Sequence, residues 1–247
     1  MSRLTDKQKP IIMKQILLSR IFLIGIFTSA TILSTISAQN KETRPIPDII
    51  TQVRVSSGID LYITQENKNS IEIEAGKDIM NKIITEVKGH ELRIYTSNHI
   101  NWRKTTLPKV HLSIRQINRV VCSAGADVYT ENTIKTDTLE LTAKSGADLY
   151  ATLDTKQLKL TSSSGSDIKV KGKTISLIAK AGSGSDIIAT DLAAKYVNVS
   201  TSSGSDAKVY ALESIDAHAS SGSDIIFYGE PITRNIKKSS GGDVTQK

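Results

Sequence analysis

Hydrophobic and polar residues alternate along most of the second half of this 247-residue chain. From 139 to 153 the odd positions are mainly Leu and Ala, and the even positions are mainly polar or charged. The alternation returns from Leu158 to Val170. A period of two residues is typical of a β-strand with one apolar face. We expect the alternation to run straight through the Ser-Gly-Ser-Asp segment at 164–167, whose small residues predict a sharp corner.

A short motif ending in Gly-x-Asp recurs along the chain. Its aspartates occupy positions 60, 127, 148, 167, 186, 206, 224 and 243, so the steps after a first gap of 67 residues are 21, 19, 19, 20, 18 and 19. One pattern recurring in one direction at this spacing predicts an all-β fold, a parallel β-helix with about 19 residues per coil. A hairpin meander would instead need a turn about every 8–12 residues.

The predicted coils assign structural roles to small residues. Cys122 lies five positions before an Asp, in a column of small residues that we interpret as inward packing. The segment 180–186 (KAGSGSD) is predicted to contain a bulge of two extra residues. The structural corners are predicted at six glycines: Gly125, Gly146, Gly165, Gly184, Gly204 and Gly222.

The pattern divides the chain into four parts. Residues 1–38 are predicted to be a signal peptide, 39–47 a linker, 48–120 a less regular β segment that opens and caps the solenoid, and 121–247 the repeat solenoid. The last two parts are expected to form one structural domain. The leader has a basic start, an apolar core and a small-residue exit at Ser37-Ala38, as secretory signals do. Export predicts a periplasmic or a cell-surface and extracellular location, and an uncleaved membrane anchor is the alternative.

Charge and cysteine content narrow the function classes. The whole chain has 32 Lys and Arg against 25 Asp and Glu; the leader holds five of the former and one of the latter, which leaves 27 against 24. This near balance gives no reason to expect nucleic-acid binding. A single cysteine in an exported chain excludes a disulfide framework.

The sequence predicts no catalytic residues and no cofactor. Acids recur at the same place on every coil, whereas a glycosidase needs one defined carboxylate pair. The predicted aspartate column is a candidate calcium site, because carboxylates stacked about 5 Å apart repel and a cation would relieve this. The favoured interpretation is that each Asp accepts hydrogen bonds from backbone N–H groups of its own corner. The column consists of Asp127, Asp148, Asp167, Asp186, Asp206 and Asp224.

Tyrosines follow some of the aspartates by two positions. Tyr62, Tyr129 and Tyr150 share this position, and Tyr129 and Tyr150 would be neighbours on an exposed ribbon. Such aromatic side chains can stack on sugar rings, although tyrosine is also a common surface residue of β-strands. The two residues are the candidate ligand surface.

Several segments resemble the head GIN domain family, the putative auto-transporter adhesins common in Bacteroidota. They are VRVSSGIDLYITQ (53–65), IEIEA (71–75), EVKGHELRIY (86–95) and the Gly-x-Asp repeats. The resemblance spans roughly 45–230. It implies a single-stranded right-handed β-helix, related in shape to pectin lyases, with a role in adhesion and no catalytic set.

These observations predict a non-enzymatic, exported binding module of the cell envelope that recognises a surface glycan or protein. One alternative is a periplasmic scaffold that acts through self-association, as a homo-oligomer, or through a protein partner. A second alternative is a polysaccharide-active enzyme. Contact with a membrane is expected only through the signal segment, if it is not cleaved.

Overall fold

The computed structural model describes residues 40–97, 100 and 105–247. The predicted signal peptide lies outside these residues. Within them the chain is almost entirely β-strand with one short helix, and the all-β prediction is confirmed. The elements are β1 (Asn40–Arg44), β2 (Gln52–Ser56), β3 (Asp60–Gln65), β4 (Ser70–Ala75), α1 (Lys77–Met80), β5 (Ile83–Lys88), β6 (Glu91–Thr96), β7 (Lys109–Ile114), β8 (Arg119–Ser123), β9 (Val128–Lys144), β10 (Asp148–Ser163), β11 (Asp167–Gly182), β12 (Asp186–Ser202), β13 (Asp206–Ser220), β14 (Asp224–Tyr228), β15 (Thr233–Ser239) and β16 (Asp243–Gln246).

The regular part of the fold is a β-solenoid of about seven turns, spaced roughly 19 residues apart as predicted. Strands β9 to β13 each extend through most of a coil, and each pairs in parallel with the next. Leu149 lies beside Ile168, which in turn lies beside Ile187. Such inward columns are buried, and their stacking builds one continuous apolar core.

Each coil turns at the Gly-x-Asp motif through two consecutive residues in the left-handed conformation. Ser164 has φ 61° and Gly165 has φ 66°, and both face solvent. The expectation that the alternation runs straight through the motif is therefore wrong: two outward residues are inserted, and the inward pattern resumes at the buried Ser166. Left-handed pairs occur at Ser57-Gly58, Ala124-Gly125, Ser145-Gly146, Ser164-Gly165, Ser183-Gly184, Ser203-Gly204, Ser221-Gly222 and Ser240-Gly241.

A buried hydroxyl braces this corner from inside. The Ser166 Oγ accepts a hydrogen bond from the Ser163 N–H at 3.0 Å and lies 2.8 Å from the Ala143 carbonyl oxygen, to which it can donate. Corresponding serines occupy the same buried position in the next three coils: Ser185, Ser205 and Ser223. Each satisfies a backbone group that would otherwise be buried without a partner.

A second bend explains how a coil can have an odd number of residues. In β10 the buried Thr155 is followed by two exposed residues, Lys156 and Gln157, before Leu158 is buried again. This double outward step shifts the alternation by one position. The Thr155 hydroxyl hydrogen-bonds to the Thr174 hydroxyl of the next coil at 2.9 Å, which ties neighbouring bends together.

Bulges in the strands account for the coils that are longer than 19 residues. Tyr129 and Thr133 of β9 pair with Tyr150 and Thr152 of β10, so β9 holds three residues where β10 holds one. The predicted bulge in 180–186 is wrong, because Lys180, Ala181 and Gly182 pair residue for residue with 161–163. The extra residues lie in the straight strand segments, where the chain can form an outward bulge without changing the tight corner.

The N-terminal part of the solenoid is stacked out of chain order. Strand β2 pairs in parallel with β6 and β8, and β3 pairs in parallel with β7 and β9. The β2–β3 layer therefore lies between a layer formed later by β6 and β7 and the first regular coil. Strands β4 and β5 then add antiparallel to β7 and β6, and β1 adds to β4, which covers the N-terminal end of the core.

The C-terminal end is covered by a polar coil. Strand β15 pairs with β13 and is exposed along its whole length, and β16 pairs with β14. The charged side chains of Arg234, Lys237 and Lys238 lie on this last layer. Charges on a terminal strand oppose pairing with another chain, which suits the edge of a solenoid.

Candidate functional site

Four aromatic rings form a ladder on the outer surface near the N-terminal end of the solenoid. The ring centroids of His111 and Tyr62 are 5.1 Å apart, those of Tyr62 and Tyr129 are 5.3 Å apart, and those of Tyr129 and Tyr150 are 5.2 Å apart. The interplanar angles are 17°, 18° and 3°. We call His111, Tyr62, Tyr129 and Tyr150 the aromatic ladder.

The parallel register of four strands creates this ladder. Strand β3 places Tyr62 between His111 of β7 and Tyr129 of β9, and β10 places Tyr150 beside Tyr129. The rings therefore repeat at nearly the spacing of neighbouring strands, about 4.8 Å. Offset parallel stacking at such distances is favourable for aromatic pairs, so the rings hold one another in place.

The two ends of the ladder differ. At one end, the imidazole Nε2 of His111 lies 3.8 Å from a carboxylate oxygen of Glu74. At the other end, the column continues from Tyr150 to Lys169, so the outer face of the Tyr150 ring has no aromatic partner. Tyr150 is 39% exposed, which makes it the ring of the ladder best placed for a ligand.

A groove of about 280 Å³ opens beside Tyr150. It combines an aromatic surface with hydroxyl groups, two amines and one carboxylate, so it offers both donors and acceptors of hydrogen bonds. This mixture suits a ligand with apolar faces and a polar rim. The side chains that define the groove are those of Tyr129, Tyr150, Thr152, Lys169, Lys171 and Asp191.

The environment raises the pKa of two phenols of the ladder. Burial, followed by the charges of Asp127 and Asp60, raises the pKa of Tyr129 to about 12. Burial and the Asp148 carboxylate also raise the pKa of Tyr150. The Tyr150 hydroxyl lies 3.5 Å from a carboxylate oxygen of Asp148. Both hydroxyls therefore remain protonated and available as hydrogen-bond donors at neutral pH.

The predicted aspartate column is present, but its hydrogen bonds differ from the expectation. The Asp148 carboxylate accepts the N–H of Asp167 at 3.1 Å, and the Asp167 carboxylate accepts the N–H of Asp186 at 3.2 Å. The same bond joins Asp127 to Asp148, Asp186 to Asp206, and Asp206 to Asp224. The first five carboxylates of the column thus bind the next coil, and the expected acceptance from their own corner is wrong for these bonds.

The metal alternative receives no support from the positions of the carboxylates. Within the described ranges, no group of three or more His, Cys, Asp or Glu side chains is arranged to hold a metal ion. Burial raises the pKa of Asp186, the N–H of Asp206 lowers it, and the neighbouring charges of Asp167 and Asp206 raise it further. The pKa of Asp186 is raised overall, so the backbone N–H group offsets only part of the cost of burying and stacking these carboxylates.

A larger groove of about 700 Å³ follows the second bend of the coils. Its charged side chains are largely engaged with one another, so we do not place the ligand surface there. The ion pairs are Lys156 with Asp137 at 2.9 Å, Lys173 with Asp154 at 3.3 Å, and Lys195 with Glu213 at 3.2 Å.

The sequence match that decides the family covers most of the solenoid. The family model described as "Putative auto-transporter adhesin, head GIN domain" matches residues 50–231. The chain belongs to this family. The resemblance stated from the sequence is thereby confirmed. No curated protein matches the chain.

Solved structures with the same fold as this head GIN domain include proteins from Bacteroides and Parabacteroides species. A putative adhesin from Bacteroides fragilis NCTC 9343 has a TM-score of 0.78 and 21% identity, over 84% of this chain and 96% of its own. A putative adhesin from Parabacteroides merdae ATCC 43184 has a TM-score of 0.69 and 15% identity, over 84% and 95%. A putative lipid binding protein from Parabacteroides distasonis ATCC 8503 has a TM-score of 0.63 and 17% identity, over 84% and 97%. At these identities the likeness shows the fold.

The corner glycines and Cys122, also predicted from the sequence to have structural roles, lie at the corners and in the core of this head GIN domain. The six corner glycines have φ between 64° and 68° and face solvent. Cys122 is fully buried, and burial, followed by the charges of Asp127 and Asp148, raises the pKa of its thiol to about 12. Such a thiol is protonated and inaccessible, which is unsuited to nucleophilic chemistry. Among the described residues, no helix combines the length and the apolar character needed to cross a bilayer.

Sequence reasoning found two rings of the ladder and missed how it continues. Tyr62 carries the same motif as Tyr129, but 67 residues separate them, so chain order gives no sign that they touch. His111 follows no Gly-x-Asp motif and joins only because β7 pairs with β3. The ladder is therefore longer than the predicted pair.

Proposed function

We propose that this head GIN domain protein is an exported, non-enzymatic binding module of the cell envelope that recognises a surface glycan in the manner of an adhesin. The observation that carries the proposal is the end of the aromatic ladder, where the uncovered face of Tyr150 borders the groove of mixed polarity. A pyranose ring has an apolar face of C–H groups and a rim of hydroxyls, and these match an aromatic face beside hydrogen-bonding groups.

The rigidity of the solenoid supports recognition by a preformed surface. The rings are fixed by stacking, and the strands that carry them are held by continuous parallel pairing. A preorganised surface loses little entropy on binding, which favours affinity. The aspartates beside the ladder are engaged with backbone N–H groups of the next coil, so their role is to hold the coils together rather than to act on a ligand.

The membership of an adhesin-named family supports export to the envelope or surface. The scaffold alternative would use the ends of the solenoid for self-association. The described C-terminal layer opposes this, because β15 is polar apart from Ile236 and carries Arg234, Lys237 and Lys238 along the terminal edge. Surface recognition through the side of the solenoid therefore remains the function that we favour.

The test is binding of the purified protein to a broad glycan array in calcium-containing buffer. Binding of a reproducible set of glycans is expected. Replacing Tyr150 by alanine should weaken that binding roughly tenfold, since aromatic contacts contribute about 0.5–1.5 kcal/mol beyond burial. Tyr150→Phe should retain most of it.

Leu212→Ala is the matched control, because Leu212 is similarly exposed at 44% but lies at the second bend. An array without any bound glycan would contradict the proposal. Equal binding by Tyr150→Ala and the parent protein would remove the ladder from the binding surface.

A further inference from the structure

Tyr196 is a second exposed ring, on a different arm of the coil from the aromatic ladder, and neither of its neighbours in register is aromatic. It is 47% exposed, more than Tyr150 in the aromatic ladder. Its neighbours in register are Ser176 of β11 and Ser214 of β13. Serine side chains are too short to cover a tyrosine ring, so Tyr196 projects above the strands on either side of it.

A row of polar side chains lies on the same face, two positions along the strand. Asn198 is in register with Asp216, and Asp216 is in register with Asn235 of the last coil. The Asn235 Nδ2 donates to an Asp216 carboxylate oxygen at 3.2 Å, which orients both groups. Side chains at i and i+2 of a strand share a face, so amide and carboxylate groups lie on the sheet surface beside the Tyr196 ring.

The ring and the polar row border a groove of about 300 Å³. Its lining includes one carboxylate, that of Asp216, and neither lysine nor arginine. The adjacent Lys195 is paired with Glu213 at 3.2 Å, and the Tyr196 hydroxyl donates a hydrogen bond to the same Glu213 carboxylate. A site with the carboxylates of Asp216 and Glu213 and with its adjacent lysine already paired does not attract an anionic ligand, whereas its amides, hydroxyls and carboxylates suit the hydroxyls of an uncharged one.

We propose that the Tyr196 groove is a second binding site, separate from the aromatic ladder, and that it takes a neutral glycan. A pyranose ring lies against Tyr196, and its hydroxyls bond to the amide of Asn198 and the carboxylate of Asp216. The proposal goes beyond the function proposed above, because it adds a site on another arm of the coil and restricts the ligand to uncharged sugars. Two sites on one rigid body would let the protein hold one long glycan, or two, with increased avidity.

The experiment is a titration of the isotope-labelled protein followed by amide chemical shifts. The probes are neutral hexasaccharides of glucose, of mannose and of galactose, and a hexasaccharide of uronic acid serves as the charged comparison. At least one neutral probe is expected to shift the amides of 196–198 and 214–216 in a saturable manner. The uronic acid probe is expected to leave them in place.

Variants separate the ring from its hydroxyl and from the fold. Tyr196→Ala should weaken binding of the neutral probe about tenfold, while Tyr196→Phe should change it less than about twofold. Asn198→Ala should weaken it severalfold through the lost hydrogen bond. Both positions are exposed, so the thermal unfolding midpoints of these variants should match that of the parent.

The outcomes separate this proposal from the previous one. Shifts confined to the Tyr150 groove would overturn the Tyr196 site and leave the proposed function standing. Shifts at the Tyr196 groove that keep their affinity in Tyr150→Ala and lose about tenfold in affinity in Tyr196→Ala would support it even if the ladder binds nothing. An unchanged affinity in Tyr196→Ala, a preference for uronic acid, or no shift with any neutral probe would overturn it.

Discussion

Two glycines of one coil should respond very differently to the same added methyl group. Gly165 lies at the tight corner with φ 66°, and a Cβ there would meet nothing within 4 Å. Gly172 lies near the second bend with φ 117°, and a Cβ there would come within 2.0 Å of the Leu153 carbonyl oxygen. Both glycines are exposed, so burial does not distinguish them. Comparing Gly165→Ala with Gly172→Ala therefore separates backbone strain from steric collision.

The expected magnitudes follow from these surroundings. Holding alanine in the left-handed region costs about 1–2 kcal/mol, and the stiffer unfolded chain offsets about 0.4–1 kcal/mol of this. Gly165→Ala should therefore destabilise the fold by about 1 kcal/mol, a modest cost at a corner where Ser164 already adopts φ 61°. At Gly172 the strand must move away from a neighbouring backbone, and strain and overpacking together should cost about 3–5 kcal/mol.

Urea unfolding of the purified variants, followed by circular dichroism, measures the difference. With a slope of about 2 kcal/mol per molar urea, the midpoint of Gly172→Ala should fall about 1 M or more below that of Gly165→Ala. Ser164→Ala is a suitable control, since it leaves a non-glycine residue at the left-handed position beside Gly165. The reasoning is refuted if Gly165→Ala costs as much as Gly172→Ala.

Two further predictions concern buried ionisable groups. Because the pKa of Cys122 is raised to about 12, the free energy of unfolding should fall as pH rises from about 9 to 12. Cys122→Ala should reduce that fall. The Cys122 thiol of the folded protein should react with maleimide only after unfolding. Burial raises the pKa of Glu91, but hydrogen bonds from Arg54 and Arg93 lower it below its usual 4.5 overall. The free energy of unfolding of the parent should therefore fall as pH drops below about 4.5, and that of Glu91→Gln should fall less. The measurement is the urea unfolding midpoint at a series of acidic pH values. The same pH dependence in both proteins would contradict the prediction.

The repeat was predictable because equivalent positions of successive coils of a solenoid have the same environment, and therefore need the same type of residue. The inward Leu149, Ile168 and Ile187 and the small Cys122 all follow from counting residues relative to the aspartates. Their environment is set by neighbours one coil away, about 19 residues along the chain. The sequence therefore carries the register directly.

The parts that escaped prediction depend on contacts without a fixed spacing. The Asp148 carboxylate binds an N–H of the following coil, and alternation within one strand cannot reveal which coil supplies the donor. The bulge after Tyr129 is visible only as a longer step, which gives its size but not its place. The sequence does not single out Tyr196, because one isolated tyrosine has no periodicity and its exposure depends on the serines that flank it in other coils.

The out-of-order stacking of β2 and β3 has a consequence for the order of folding. A regular coil closes its contacts over about 19 residues, whereas Tyr62 reaches Tyr129 only after 67 residues. Long closures are slower, so the regular coils can assemble by zipping, each templating the next. Because the β2–β3 layer lies between two partners that follow it in the chain, we expect it to reach its native place after the regular coils have formed.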